Sequence, residues 1–344
     1  MTESNDHQEN TTTDSVTMQG NTHSRTSLGF TRILLIGLGL GAFGLCLFVA
    51  GAFAWQTFVG SATEEVVPGL VIETAEDPET DHASDSEFTG ILAELNDDHI
   101  AEDAHPLDPF LKVAELGRKK LLEEVRDYTA LMQATVRLEN GKLRDQQVMR
   151  IKIRHPNTDP EDVVPFSIYS RFISPASLAG QEAIWVDGWH EGNLVGHPPG
   201  ILNLRSFYLD PDGKIAMNGN RHPIYEMGMA KLLDQMIDKG TRDRDAGDDV
   251  SVAVERGVKL NDRECLRITI IHPEERAPYD FHRAVIYVDV ENEWPIGYEA
   301  YAWPKSGDDE PPLIESYYYQ EIEPNVGLTD FDFDTKNEAY KFPG

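Results

Sequence analysis

Between Ile33 and Trp55 the chain runs through twenty-three residues without a single charge, ILLIGLGLGAFGLCLFVAGAFAW. A buried core helix of that length would show a polar stripe, and this one shows none. At about 1.5 Å per residue the run crosses a ~30 Å hydrocarbon layer with some length left for tilt. It predicts a transmembrane helix over residues 33–58, so everything else in the chain must lie on one side of a membrane or the other. A cleaved signal peptide is the rival reading, and Ala52-Phe-Ala54 offers it a cleavage site. Signal peptides, however, carry a shorter apolar stretch of about 7–15 residues behind a short basic start, and here the leader is thirty-two residues long. A lipid anchor on Cys46 would need a small residue before it, where the chain has Leu45. Gly37 and Gly41 have the spacing of a helix-packing face, although glycine is frequent in membrane helices in any case.

Orientation follows from the flanks. Arg25 and Arg32 precede the run, and no Lys or Arg returns until Lys112. Positive-inside reasoning keeps residues 1–32 in the cytoplasm as a disordered polar tail and exports all that follows Gly60. The expected location is the inner (cytoplasmic) membrane, crossed once by Ile33–Phe58, with a periplasmic carboxy-terminal domain. Residues 61–105 hold fourteen acids and no Lys or Arg, which predicts an extended acidic tether over 59–105. The whole chain has 60 acidic and 30 basic residues, and from residue 106 onward 42 acids face 28 bases. A domain this acidic, with no segregated basic patch, excludes nucleic acid as a partner. Two cysteines, Cys46 and Cys265, exclude a disulfide scaffold and a multi-cysteine zinc site.

The exported part, 106–344, begins with a helical period. Phe110, Val113, Ala114, Gly117, Leu121, Val125 and Tyr128 recur at helical spacing, with Asp108 as the expected N-cap and Pro109 at N1. After Tyr128 the period becomes two. A strand near 131–138 joins Met149–Arg154 through Asn140-Gly141, a hairpin signal. Further strands are expected near 166–174, 181–188, 193–197, 203–209, 213–217, 250–260, 263–272, 282–290, 296–303 and 313–323. A second helix is expected over 224–239, ended by Gly240. Short turns mean antiparallel pairing, and so wide a sheet must curl or close. The expected fold is α+β, a strongly curved antiparallel sheet covered by two helices. Two strands are apolar on both faces: Val285 and Tyr287 back Ala284, Ile286 and Val288, while Tyr169 and Ile173 back Phe166, Ile168 and Phe172. Such strands are covered on both sides, by protein or by a ligand.

Several stretches, among them PFSIYSRF (165–172), GQEAIWVDGW (180–189), NRHPIYEMG (220–228), AVIYVDVENEWPIGYEAYAWP (284–304) and the ending from Tyr317 to Phe342, resemble a bacterial family. It is the domain of unknown function 1571, grouped with the LolA/LolB-like lipoprotein carriers. The resemblance covers roughly 107–342. It implies a half-barrel of about eleven antiparallel strands closed by helices around an apolar cavity for acyl chains. This chain departs from soluble carriers in its acidic domain and its expected anchor, which favours a fixed binding or sensing role over shuttling.

The function expected is therefore binding of lipid or lipoprotein acyl chains in a concave apolar cavity. Phe172, Trp185, Met217, Met229 and Met236 are the candidate lining, because large apolar side chains, methionine above all, adapt to irregular ligands. Ordinary core packing is the competing account of the same five. An interaction or sensor module with an envelope protein partner is the alternative function. A glycan-acting enzyme is a third, resting only on Asp187 and Glu191 beside Trp185, Trp189 and His190. No nucleophile elbow, phosphate loop or dinucleotide fingerprint occurs, so no enzyme and no cofactor are expected. Histidines 190, 197, 222, 272 and 282 are dispersed without metal-ligand spacing. Asp330, Asp332 and Asp334 would share one face of a strand, as weak calcium ligands or as a solvated edge. Arg221-His222-Pro223 is either an anion contact or a plain helix-start turn.

Overall fold

The computed structural model describes residues 69–74, 104–200, 203–247, 249–305, 307 and 310–343, all within the second of two compact units, which begins at Val59. The expected tail, the span Ile33–Phe58 and most of the expected tether lie outside the described residues. Among the described residues, no helix is long and apolar enough to cross a membrane.

The chain order is β1 (Ile72–Thr74), α1 (Asp108–Glu124), β2 (Asp127–Val136), β3 (Gln147–Arg154), β4 (Ser167–Ser174), β5 (Glu182–Val186), β6 (Leu194–His197) and β7 (Phe207–Leu209). Then come α2 (Met229–Ala246), β8 (Ser251–Leu260), β9 (Arg263–Ile271), β10 (Arg283–Asp289), β11 (Pro295–Tyr301) and β12 (Leu313–Pro324). All twelve strands join one open sheet in the order β1-β8-β9-β10-β11-β12-β2-β3-β4-β5-β6-β7. Every neighbouring pair is antiparallel. Two meanders, β2–β7 and β8–β12, meet where β12 pairs β2, with Tyr319 opposite Met132. The segment read as a tether contributes β1, whose Ile72 stands opposite Leu260.

Both helices lie over one sheet face, and their apolar sides meet Ile151, Ile153, Ile168, Ile268, Ile270 and Ile286 in a single core. Burying each such side chain stabilises the domain by ~1.5–3 kcal/mol. Helix α1 buries Phe110, Leu111, Val113, Ala114 and Leu121. Its cap differs from the expected one. Leu107 is the cap residue; its hydrocarbon side chain can make no capping bond and is buried in the core at 1% exposure instead. Asp108 is the first helical residue, accepting from the His105 amide at 3.2 Å.

Helix α2 also departs from expectation. Ile224–Glu226 is a separate 3₁₀ turn, and Gly228 at φ +113° breaks the chain before α2 begins. The Met229 amide then donates to the buried Tyr128 hydroxyl at 3.0 Å. Gly240 does not end the helix. It sits inside α2, where a Cβ would stand 2.8 Å from Leu111 Cδ2, so glycine is there to let the two helices close. Gly247 is the actual C-cap.

The strand expected over 213–217 is a set of turns instead, opened by Asp210-Pro211-Asp212-Gly213, in which the Gly213 amide bonds Asp210 O. The two-sided strands are explained by protein. Tyr169, Ile184, Val186 and Val195, on the far sheet face, are covered by Phe333 and Tyr340. Glu182, only 1% exposed, fixes that cover: it accepts from the Lys341 amide (2.7 Å) and the Tyr169 hydroxyl (3.1 Å) and meets His197 Nε2 at 2.9 Å. Behind β10, a Cβ at Gly297 would touch Tyr287, Leu260 and Tyr318, so these rings and Leu260 fill that face.

Candidate functional site

Where α2 crosses β9–β11, the packing leaves a small cavity of about 30 Å³, lined by Phe110, Leu232, Met236, Ile270, Phe281 and Ile286 among others. That volume is about one water's share of the liquid. Its polar wall is His272 with Asp243, both almost completely buried, with His272 Nε2 3.5 Å from Asp243 Oδ2. His272 lies stacked on Tyr279 at 4.0 Å between centroids and edge-on to Phe281 at 4.8 Å. Burial there lowers its pKa to about 4, and Arg276 and Arg242 add to the effect. Burial also raises the Asp243 pKa, against the pull of Arg242.

His272 makes an acid limb, which the raised pKa of Asp243 opposes. Unfolded, His272 takes a proton near its ordinary pKa of ~6.5; folded, it resists down to about 4. Its contribution is therefore complete above pH 6.5 and lost as pH falls toward 4, amounting to about 3 kcal/mol. Urea unfolding of His272→Phe should lose that much less stability than the native chain between pH 7 and pH 4. Parallel curves would refute the assignment.

On the solvent side of α2 lies an open cleft of about 750 Å³, bounded by α1, α2 and the turn at His222–Glu226. Gln235 and Lys239 line both the cleft and the apolar cavity. Behind His222, the buried Glu315 receives His222 Nε2 at 2.8 Å, Arg221 Nε at 3.1 Å and the Tyr317 hydroxyl at 3.1 Å. His222 Nδ1 meets Glu226 at 2.9 Å, and Gln235 donates to the same carboxylate at 2.9 Å. Burial works against both charges of the His222–Glu315 pair, but their mutual hydrogen bond prevails. It raises the His222 pKa and lowers that of Glu315. Arg221 and His222, candidates for an anion contact, are thus engaged by the protein's own carboxylates.

The five candidate lining residues do not converge on one space. Met229 is fully buried at the head of α2 against Tyr128, while Phe172 and Trp185 pack in the core near β4 and β5. Trp185 faces Phe166 and Tyr225 and donates to Gly192 O at 3.1 Å. Met217 is half-buried in the turns after β7. Only Met236 borders the cavity. Replacing Met229 by Ala should cost about 2–5 kcal/mol. Met236→Ala should cost less, because it only enlarges an existing void. Equal losses in chemical denaturation would contradict this difference.

The remaining candidates disperse. Asp187 and Glu191 are exposed on the β5–β6 turn, whereas Trp185 is buried against Phe166 and Tyr225. Asp330–Phe333 is a 3₁₀ turn, not a strand, started by a capping box between Thr329 and Asp332. Its carboxylates are taken by Arg154 and Lys152, each at 2.8 Å. Among the described residues, no group of three or more His, Cys, Asp or Glu could hold a metal. The shared role of Gln235 and Lys239 was not anticipated, because α2 carries many other charged residues and nothing in the sequence sets these two apart.

An open antiparallel sheet roofed on one face by two closely crossing helices, with a small apolar cavity beneath and a charged cleft above, defines a helix-roofed sheet domain. The chain belongs to the family of proteins of unknown function DUF1571, whose profile matches residues 125–342. The match begins behind α1, later than the expected start near 107. Among solved structures, the chain is similar to a DUF1329 family protein from Desulfovibrio piger (12% identity, 67% of this chain and 98% of that one, TM-score 0.33). It is also similar to a putative outer membrane lipoprotein-sorting protein domain from Vibrio parahaemolyticus (12%, 65% and 95%, 0.31). A third likeness is to a LolA superfamily protein from Nitrosomonas europaea (12%, 64% and 97%, 0.28). TM-scores this low carry no inference about what this chain does. A search of the curated proteins returns no match.

Proposed function

We propose that the domain is a non-enzymatic binder of lipid or lipoprotein acyl chains, held at the cytoplasmic membrane by Ile33–Phe58 and exposed to the periplasm. The observation that carries this reading is the apolar cavity between α2 and β9–β11, which adjoins solvent through the cleft at Gln235 and Lys239. At about 30 Å³ the cavity as it stands holds no acyl chain. Binding then requires α2 to move outward, against the Gln235–Glu226 hydrogen bond that ties it to the turn at His222–Glu226. Apart from the His272–Asp243 edge and the side chains of Gln235 and Lys239, the cavity wall is mostly aliphatic and aromatic, which suits hydrocarbon. The anchor is supported by the uncharged run, and the orientation by Arg25 and Arg32.

The test is mass spectrometry of lipids retained by the full chain after gentle detergent extraction. Acyl-bearing lipid near one molecule per chain is expected, reduced in Ala284→Phe, which would fill the cavity. A native chain that retains no acyl lipid above the detergent background refutes the reading.

A further inference from the structure

The cleft above α2 has a charge pattern that distinguishes it from the rest of the domain. Residues 106–344 carry 42 acids against 28 bases, yet the cleft is lined by four of each: Arg118, Lys119, Lys231 and Lys239 against Glu115, Glu226, Asp234 and Asp238. Half of these are used internally. Arg118 holds Asp234, which Lys231 also approaches at 3.7 Å. Glu226 is occupied by His222 and Gln235. Among the described residues, Lys119, Glu115 and Asp238 make no ion pair or side-chain hydrogen bond, and Lys239, without a contact ion pair, lends its charge to the buried carboxylates of Glu315 and Asp243. Opposite charges lining one cleft suit a ligand that carries both signs, whereas a purely anionic group would meet the carboxylates of Glu115 and Asp238 as well as the two ammonium groups.

The second observation is position. Lys239 is half-buried and lines both the cleft and the apolar cavity, as Gln235 does one turn earlier. Lysine places its hydrocarbon stem along apolar surface and its charge in water, so a polar group in the cleft and a hydrocarbon in the cavity would meet at this side chain. The geometry points to the cleft as the seat of a zwitterionic phospholipid headgroup, its phosphate toward Lys239 and Lys119 and its ammonium toward Asp238 and Glu115, with the acyl chain passing Gln235 into the space under α2. This inference rests on the acyl-binding reading and goes further by naming the headgroup class and the residues that select it.

The two can fail separately. The full chain is titrated with three single-chain probes of equal acyl length: lysophosphatidylethanolamine, lysophosphatidylglycerol and a monoacylglycerol, with binding followed by native mass spectrometry. The zwitterionic probe should bind about tenfold tighter than either of the others. Lys239→Glu should erase that preference while leaving the uncharged monoacylglycerol within about twofold. Equal binding of all three, indifferent to Lys239→Glu, overturns the headgroup site and leaves the acyl reading standing. Tighter binding of the phosphatidylglycerol probe overturns it in favour of an anion. If no probe binds, both readings fall. Asp238→Lys guards against a variant that misfolds: it should turn the preference toward the anionic probe, a gain of binding that lost structure does not produce.

Discussion

Gly117→Ala is expected to destabilise the domain by about 3 kcal/mol, although the same change in an ordinary helix interior gains up to ~1 kcal/mol. The sign reverses because of what lies opposite. A Cβ at Gly117 would stand 2.5 Å from the carbonyl oxygen of Glu293, in the turn between β10 and β11, with Trp294 Cα 3.7 Å away. The obstacle is backbone and cannot rotate aside as a side chain would. Either α1 lifts from the sheet, taking Phe110, Leu111 and Leu121 with it, or the turn distorts. Gly117→Val should cost more still, a large share of the ~5–15 kcal/mol that keeps a typical domain folded. Urea denaturation monitored by tryptophan fluorescence measures both. A neutral or stabilising Gly117→Ala would mean that α1 does not sit this close.

Glu182→Ala is expected to cost about 3 kcal/mol or more, because each buried group left without its hydrogen-bond partner costs ~1–3 kcal/mol. Three groups lose their acceptor together: His197 Nε2, the Tyr169 hydroxyl and the Lys341 amide. The loss should have a local sign as well. The segment that carries Phe333 and Tyr340 is held partly by this carboxylate and partly by stacking of Tyr340 on Tyr169 at 4.1 Å. Trypsin should therefore cut at Lys336 and Lys341 much faster in the variant, under conditions where the rest of the domain survives. Unchanged protection there would show that stacking alone holds the segment.

What the sequence made legible follows from how local each signal is. The strand positions were readable because period-two alternation and turn residues such as Asn140-Gly141 act within a few residues, and that hairpin forms with Gly141 at φ +80°. Gly240 was misread because glycine serves two purposes that look alike in a sequence. It ends helices where a left-handed residue is needed, and it lets two helices approach; only the position of Leu111 decides between them. The turn at Asp330–Phe333 was misread as a strand because alternating Asp and Phe satisfies a strand pattern, while the Thr329–Asp332 capping box favours a helical turn. The candidate lining failed to converge for a related reason. Methionines 229 and 236 lie two turns apart on α2, but Met229 is fully buried at the helix head and only Met236 borders the cavity, and the direction in which a helix crosses a sheet is not encoded in its own residues.

The pairing of β12 with β2 has a consequence for how the chain finds this structure. Each meander is built from contacts between near neighbours in sequence, so each can form early with little loop to close. The seam between them joins residues almost the whole length of the domain apart, Tyr319 to Met132. Closing so long a loop costs conformational entropy before any contact repays it, though only by about 0.6 kcal/mol for each doubling in length. The seam is thus the natural candidate for the slow step. Until it closes, the two half-sheets present their inner strands as unpaired edges, the very strands that end up in the middle of the finished sheet. The folding intermediate is then more prone to aggregate than the native domain, whose remaining edges are the three-residue strands β1 and β7.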